Sequence, residues 1–398
     1  MGKVKESLSA LMTESEDGVR QLNQYTLKEK LGQGAYGSVY YGIDGVDGSA
    51  YAIKELSKAQ LRKNNQSNML RERSMGRGIG RGRGRGLFAI KAAQKLEEEN
   101  GNPLDLVRSE VAILKKLSHP NIVNLREVLD NKNDDAIYMV FEMCKKGAVM
   151  DVQLGKTVEP YTEDKCRHYF RQMVLGFEYL HENGIVHRDI KPDNLLIAAD
   201  DTLKIVDFGV SEMFVKGDDR MKKSAGSPAF MAPELCSGSS NGISGRATDI
   251  WSMGVTLYCL AFGTLPFSAN SIVEIYDSVK NQELKIPDTA SPELKDLLEK
   301  LLDKNPETRI HMDAIRIHPW LTKDGQEPLP STEENCATVV TSITDEEINS
   351  AIRGIANIMT VAKAVARFKR RSMQHHMQNL NLNDKKSPAN EENKDTSS

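Results

Sequence analysis

His187-Arg188-Asp189-Ile190-Lys191-Pro192-Asp193-Asn194 brings a carboxylate (Asp189), two cations (Arg188 and Lys191) and an amide (Asn194) into eight residues. Asp207-Phe208-Gly209 begins thirteen residues after Asn194, and Ala232-Pro233-Glu234 closes the segment. Upstream, Gly32-Gln33-Gly34-Ala35-Tyr36-Gly37-Ser38-Val39 lies between two strand-like runs. Glycines there let backbone N–H groups approach phosphate oxygens with no Cβ in the way. Taken alone, a glycine-rich hairpin turn accounts for that stretch equally well, and because it opens no helix it is not a dinucleotide-binding fingerprint. Fifteen residues past Val39, Ala52-Ile53-Lys54 offers a strand lysine within reach of the same phosphates, although a single lysine is more often a surface residue.

Outward from these motifs the chain divides by pattern. Residues 1–24 are polar with few apolar anchors and read as a disordered tail. Alternation from Tyr25 through Val39-Tyr40-Tyr41 to Ala50–Leu56 reads as a short antiparallel meander. Residues 62–105 break it. Within them Arg71–Gly86 carries six arginines against one glutamate, a net +5, interleaved with glycine, so a flexible basic insert is expected. Val107, Val111, Leu114 and Leu117 then mark one face of a helix. Strands are expected near Leu125–Val128 and Ile137–Glu142, and helices over Thr162–Glu182, Thr248–Ala261, Ile272–Lys280 and Pro292–Leu302. Strands first and helices second imply an α+β fold of two lobes with a cleft between them. Residues 322–342 read as a linker, 343–373 as a further helix and 374–398 as a disordered tail.

These motifs, in this order and spacing, are those of the protein-kinase signature set. Residues 25–321 resemble a protein kinase domain, which implies the bilobal kinase fold with a small, mostly β N-lobe and a larger helical C-lobe. The resemblance implies ATP and Mg2+ as cofactors and assigns roles position by position. Leu31, Gly32, Gly34 and Gly37 would cover the ATP phosphates and purine, and Val39, Ala52 and Leu196 would sandwich the adenine. Phe141 would stand at the back of the pocket, with Glu142 and Cys144 presenting backbone groups to the base. Lys54 would hold the α- and β-phosphates and pair with Glu110. Asp189 would orient the substrate hydroxyl and take its proton, Lys191 would stabilise the transferring phosphoryl group, and Asn194 and Asp207 would hold Mg2+. Asp249 and Arg309 resemble the family's buried braces, Arg309 paired with Glu234, while Trp251, Tyr258, Phe262 and Cys259 read as core. Lys191-Pro192 and the small Ser227 are similar to serine/threonine kinases rather than tyrosine kinases. Arg188 is placed to meet a phosphate on the activation loop, for which Ser224 is the candidate acceptor.

Three departures from a generic kinase point to one branch: the basic insert, the Asp207–Ser211 and Ala225–Glu234 segments, and the tail Glu327–Cys336 followed by a basic amphipathic helix. Together with Tyr138–Glu142, Met253–Cys259 and Leu302–Glu307 they resemble a calcium/calmodulin-dependent protein kinase kinase. That resemblance implies Ca2+–calmodulin as a partner. It also implies the activation-loop threonine of downstream kinases, calmodulin-dependent kinases and AMP-activated protein kinase, as substrate. In the tail, Thr344-Asp345-Glu346-Glu347 reads as a capping box. Six basic residues and no acidic one follow between Ile348 and Asn383, beside an apolar stripe from Ile352 to Val365. By the resemblance an autoinhibitory segment comes first and a calmodulin site overlaps its C-terminal half, with Ile358 and Met373 as end anchors. The insert is Gly/Arg where animal members have Arg/Pro, and Asp193 replaces their usual serine, which puts substrate choice in question. Ala148 stands where basophilic kinases carry an acid, so selection is expected to rest on docking to a folded kinase.

Composition narrows the alternatives. The 398 residues carry a net charge of −3, which names no partner, and five scattered cysteines without CxxC spacing, which suit a reducing compartment. No secretory signal and no 18-residue apolar run is present, and Glu6 stands where a myristoylation signal wants Ser or Thr. A cytoplasmic protein is expected, with nuclear entry left open, no membrane partner and no nucleic acid as main function. The rival to a calmodulin-switched enzyme is a constitutively active serine/threonine kinase; a pseudokinase scaffold would lack a catalytic group, and none is missing.

Overall fold

The computed structural model describes residues 4–34, 37–61, 103–131, 134–214, 218–221, 226–237, 242–338, 347 and 350–352. Most of the basic insert, Ser224, Ile358 and Met373 lie outside the described residues.

Eight strands make the N-lobe sheet: β1 (Lys5–Ser7), β2 (Met12–Glu14), β3 (Arg20–Leu22), β4 (Tyr25–Gly34), β5 (Gly37–Asp44), β6 (Ala50–Ser57), β7 (Leu125–Asp130) and β8 (Ala136–Glu142). Their order is β1-β7-β8-β6-β5-β4-β3-β2. Helix α1 (Pro103–Lys116) buries Val107, Val111 and Leu114 in one apolar cluster with Leu56, Val128 and Met139 of the sheet, as its 3.6-residue spacing demands.

The first three strands correct the expectation of a disordered tail over residues 1–24. β3 pairs antiparallel with β4, β2 with β3, and β1 runs parallel to β7 at the opposite edge. Ala10 and Leu22 are buried with Leu27, Leu129, Tyr138 and Val140. The organiser is Glu127, buried on β7. Its carboxylate accepts from Ser7 Oγ (2.5 Å), Tyr25 Oη (2.7 Å) and Gln24 Nε2 (3.2 Å), and pairs with Lys5 (3.2 Å). A carboxylate with this many donors can stay charged inside the protein: burial would raise its pKa, but the donors hold it below the ordinary glutamate value.

The C-lobe is built on α2 (Glu163–Glu182), α3 (Gly245–Phe262), α4 (Ile272–Asn281), α5 (Pro292–Leu301), α6 (Met312–Arg316) and α7 (Pro319–Thr322). Serine or threonine caps α2, α3, α4 and α5 through a side-chain oxygen, satisfying an orphan N–H at each N-terminus. Every residue of α3 from Ala247 to Leu260 is buried, so this helix is covered on all sides and forms the lobe's axis. Short strands β9 (Gly147–Ala148), β10 (Ile185–Val186), β11 (Leu195–Ile197), β12 (Leu203–Ile205) and β13 (Glu212–Met213) frame the loops that carry the motifs.

Residues 322–338 are a packed strap rather than a loose linker. Arg171 donates to the carbonyls of Leu321 (2.8 Å), Glu327 (2.6 Å) and Pro328 (3.1 Å). A one-turn helix, α8 (Thr332–Asn335), then sets Asn335 on Glu178 (2.8 Å) and against His119 (2.9 Å), and Cys336 is buried. Thr338 Oγ1 donates to the Ser118 carbonyl (3.1 Å), so the strap reaches the loop that follows α1. Among the described residues no helix is long and apolar enough to cross a membrane.

Candidate active site

The site lies where the N-lobe sheet meets the loops at the ends of β10, β11 and β12. Three of its side chains come from distant parts of the chain. Lys54 on β6 meets Glu110 on α1 at 2.8 Å and Asp207, just past β12, at 3.3 Å. Burial alone would lower the Lys54 pKa; the two carboxylates outweigh it and raise it. Asp207 shows the converse: desolvation would raise it, and Lys54 holds it below the ordinary aspartate value. Lys54 and Asp207 therefore each keep the other ionised.

The second cluster surrounds Asp189. Its Oδ1 accepts from Ser227 Oγ (2.7 Å), and its Oδ2 accepts from Asn194 Nδ2 (3.0 Å) and pairs with Lys191 Nζ (3.0 Å). Lys191 also donates to Ser227 Oγ at 2.8 Å. A hydroxyl thus already sits on the carboxylate, flanked by a cation, which is the arrangement needed to orient a second hydroxyl there and neutralise charge beside it.

This loop is held in a costly backbone shape. Arg188 and Asp207 both have positive φ, 70° and 64°, a region that non-glycine residues adopt only when their surroundings enforce it. At Arg188 buried Asp249 supplies that enforcement, accepting the N–H groups of His187 and Arg188 at 2.9 Å each and bonding His181 Nε2 at 2.9 Å. His187 donates from Nε2 to the Val206 carbonyl (3.0 Å) and packs edge-on to Phe177 and Phe208. The catalytic loop and the Asp207 turn are thereby joined through one imidazole.

The glycine loop divides by role. A Cβ on Gly37 would lie 1.7 Å from the Glu55 carbonyl, so glycine is required there by the neighbouring strand. A Cβ on Gly32 would meet nothing within 4 Å and one on Gly34 only the Gly37 carbonyl at 4.0 Å; these two leave open space above the cleft, where a phosphate would fit. Val39 lies opposite Lys54 in register, Ala52 opposite Phe141, and Leu196 on β11 opposite Ala148. Leu31 on β4 is exposed. The Glu142 N–H is taken by the Asn124 carbonyl (3.1 Å), and its side chain accepts from Asn124 N (2.7 Å) and Lys204 (3.0 Å). The Glu142 side chain is therefore a brace, and what this segment can offer an adenine is the Glu142 carbonyl and the Cys144 N–H. The Cys144 thiol is buried, which pushes its pKa up to about 12, so it packs rather than reacts.

Asn194 spends its amide N–H groups on Asp189, also bonding the Asp189 carbonyl at 2.8 Å, which leaves Oδ1 as the atom for a cation. Asp207 contributes a carboxylate that is half exposed. Among the described residues no group of three or more His, Cys, Asp or Glu is arranged to hold a metal unaided. One carboxylate and one amide oxygen fit Mg2+, which keeps waters and takes its remaining ligands from substrate phosphates.

Sequence reasoning missed one partner. Arg188 NH1 pairs with Glu212 Oε2 at 2.6 Å and its Nε donates to the Val210 carbonyl at 2.5 Å. The guanidinium read as a phosphate receptor already holds a carboxylate from β13; only the antiparallel register of β10 and β13, Val186 opposite Glu212, brings the two together.

The protein kinase domain family matches residues 79–321, with Gly32, Gly34, Gly37 and Lys54 upstream of that span. A protein of Emericella nidulans named as a calcium/calmodulin-dependent protein kinase kinase is 43% identical over 92% of this chain and 72% of its own length. One of the same name from Caenorhabditis elegans is 41% identical over 88% of this chain and 62% of its own length. A serine/threonine-protein kinase of Arabidopsis thaliana is 38% identical over 82% and 72%.

Proposed function

We propose that this chain, which belongs to the protein kinase family as an ATP-dependent serine/threonine kinase of the calcium/calmodulin-dependent protein kinase kinase kind, phosphorylates the activation-loop threonine of downstream kinases and is switched by Ca2+–calmodulin. The kinases in question are calmodulin-dependent kinases and AMP-activated protein kinase. The observation that supports the chemistry best is the Asp189 cluster, with Lys191, Asn194 and Ser227 all within 3.0 Å of one carboxylate.

In the reaction, Asp189 accepts a hydrogen bond from the substrate hydroxyl, aims its oxygen at the γ-phosphorus and takes its proton as the new P–O bond forms and the bond to the β-phosphate oxygen breaks. Lys191 lies beside the carboxylate and neutralises charge on the transferring group. Lys54, held by Glu110, fixes the α- and β-phosphates, and Gly32 and Gly34 let the backbone close over them. Asp207 and Asn194 would hold Mg2+, which would supply charge neutralisation of the phosphates. Ser224 remains the candidate acceptor on the activation loop, but Glu212 on Arg188 gives the loop an internal anion whether or not that serine is modified.

Calmodulin control rests on the resemblance, on the names of the two relatives above and on the basic amphipathic pattern of residues 343–373. Immobilised calmodulin is expected to retain the full chain only with Ca2+, and a chain ending at Ile352, without Ile358 and Met373, is expected to be lost from the resin and to ignore Ca2+–calmodulin in activity. The cut is placed after Ile352 so that Glu347 and Ala351, which contact α1, are kept. Full-length enzyme that is neither retained nor changed by truncation would leave the second reading, an unswitched kinase. That reading has its own support: the Arabidopsis relative and one of Schizosaccharomyces pombe, 37% identical over 82% of this chain, carry kinase names without calmodulin. We place the enzyme in the cytoplasm; its five free cysteines suit a reducing compartment.

A further inference from the structure

We propose that Lys115, in the last turn of α1, is a positioning residue for phosphoryl transfer: it ties both ends of the chain to the helix that carries Glu110. From one side comes β1, whose Glu6 Oε1 lies 2.7 Å from Lys115 Nζ. From the other comes the tail, whose Ala351 carbonyl accepts from the same ammonium at 2.5 Å. The neighbouring Lys116 meets Glu347 at 2.6 Å. Ala351 and Ile352 are buried in the same apolar cluster as Val111, Leu114 and Leu117, so the tail is seated by packing as well as by charge.

Geometry makes these contacts matter for chemistry. Glu110 and Lys115 are five residues apart on one helix, about 7.5 Å of axial rise, and a helix of this length turns or shifts as a rigid rod. A displacement at the last turn therefore carries Glu110 away from Lys54 and breaks the 2.8 Å pair that holds the phosphate-binding ammonium. β1 is itself fixed, by parallel pairing with β7 and by Ser7 and Lys5 on buried Glu127. Glu6 is committed to the contact: its second oxygen is buried without a hydrogen-bond partner. Removing the Lys115 ammonium would leave that carboxylate uncompensated, and the strand rather than the charge would give way. Glu347, Ala351 and Ile352 thus support the active arrangement of α1, so any inhibition of the kind the resemblance implies falls to residues after Ile352. This inference rests on the kinase activity and not on calmodulin control.

The test compares full-length Lys115→Met, which keeps the aliphatic stem, with Lys115→Arg, which keeps a cation. Lys115→Met is expected to lower kcat about threefold to thirtyfold and to raise KM for ATP. The amides of residues 103–116 should exchange hydrogen faster while the global melting transition stays in place, and Lys115→Arg should recover most of the loss. A second variant, Ile352→Asp, is expected to reproduce the kinetic loss from the tail side. Lys115→Met and Ile352→Asp enzymes with unchanged kcat and KM would overturn the proposal. So would a loss of activity that only tracks the fraction of unfolded protein, with kinetics per folded molecule unchanged.

Discussion

Asp207→Ala and Asp189→Asn should each cut phosphoryl transfer by at least ~10²-fold, because each removes a charge placed to act on the reacting phosphate or hydroxyl. The two substitutions fail for different reasons. Alanine at 207 deletes one of the two carboxylates facing Lys54 and the only ionised group in the proposed Mg2+ site. Asparagine at 189 is isosteric and can keep contacts to Ser227 and Lys191, but its oxygen cannot take a proton. Initial rates with labelled ATP and purified, folded variants give the answer, and near-normal rates would refute the role of these residues. A Lys54→Met variant is a weaker discriminator, since it removes ATP affinity and α1 anchoring together.

Arg309→Met is expected to cost ~3–5 kcal/mol of stability, the usual consequence of leaving one member of a buried ion pair behind. The Arg309 side chain is fully buried and holds Glu234 through two hydrogen bonds, at 2.8 and 3.0 Å. It also donates to the Ala247 carbonyl (2.7 Å) and the Asp303 carbonyl (2.9 Å), and its guanidinium lies over the Trp251 ring. Methionine fills part of the volume but leaves a carboxylate and two carbonyls without their donor. Glu234 closes the segment that contains Ser227, so activity should fall with stability as the Asp189 cluster loosens. Urea denaturation reads the effect, and a loss below about 1 kcal/mol would mean that water replaces the guanidinium at no great cost.

The grouping of the candidate site was legible in the sequence because its motifs set residue types at fixed spacings. Lys54, Glu110, Asp189, Lys191, Asn194 and Asp207 fall into two clusters as the motifs imply, and the Arg309–Glu234 brace is present. The helices were legible from their 3.6-residue period, with α3 extending only slightly beyond Thr248–Ala261. The N-terminal strands were not. Three residues each are too few to establish alternation; β2 and β3 are held by ladder pairing, and β1 by β7 and its Glu127, more than a hundred positions away. The strap over residues 322–338 was hidden for the same reason: its contacts are backbone carbonyls taken by Arg171 and single polar side chains such as Asn335, which leave no hydrophobic period. Gly37 was read as part of a phosphate cradle, whereas the closest constraint on it is the Glu55 carbonyl. Glu212 carried no motif at all and acquires its meaning only from the register of two-residue strands.

The most direct measurement uses purified chain, Mg2+, ATP labelled at the γ-phosphate and a catalytically inactive calmodulin-dependent kinase as acceptor, with Asp189→Asn as control and the labelled residue mapped. The expected result is label on the acceptor's activation-loop threonine from the wild-type chain and background from the control. No label on that threonine from a folded enzyme, or equal label from Asp189→Asn, would contradict a kinase of kinases built around Asp189.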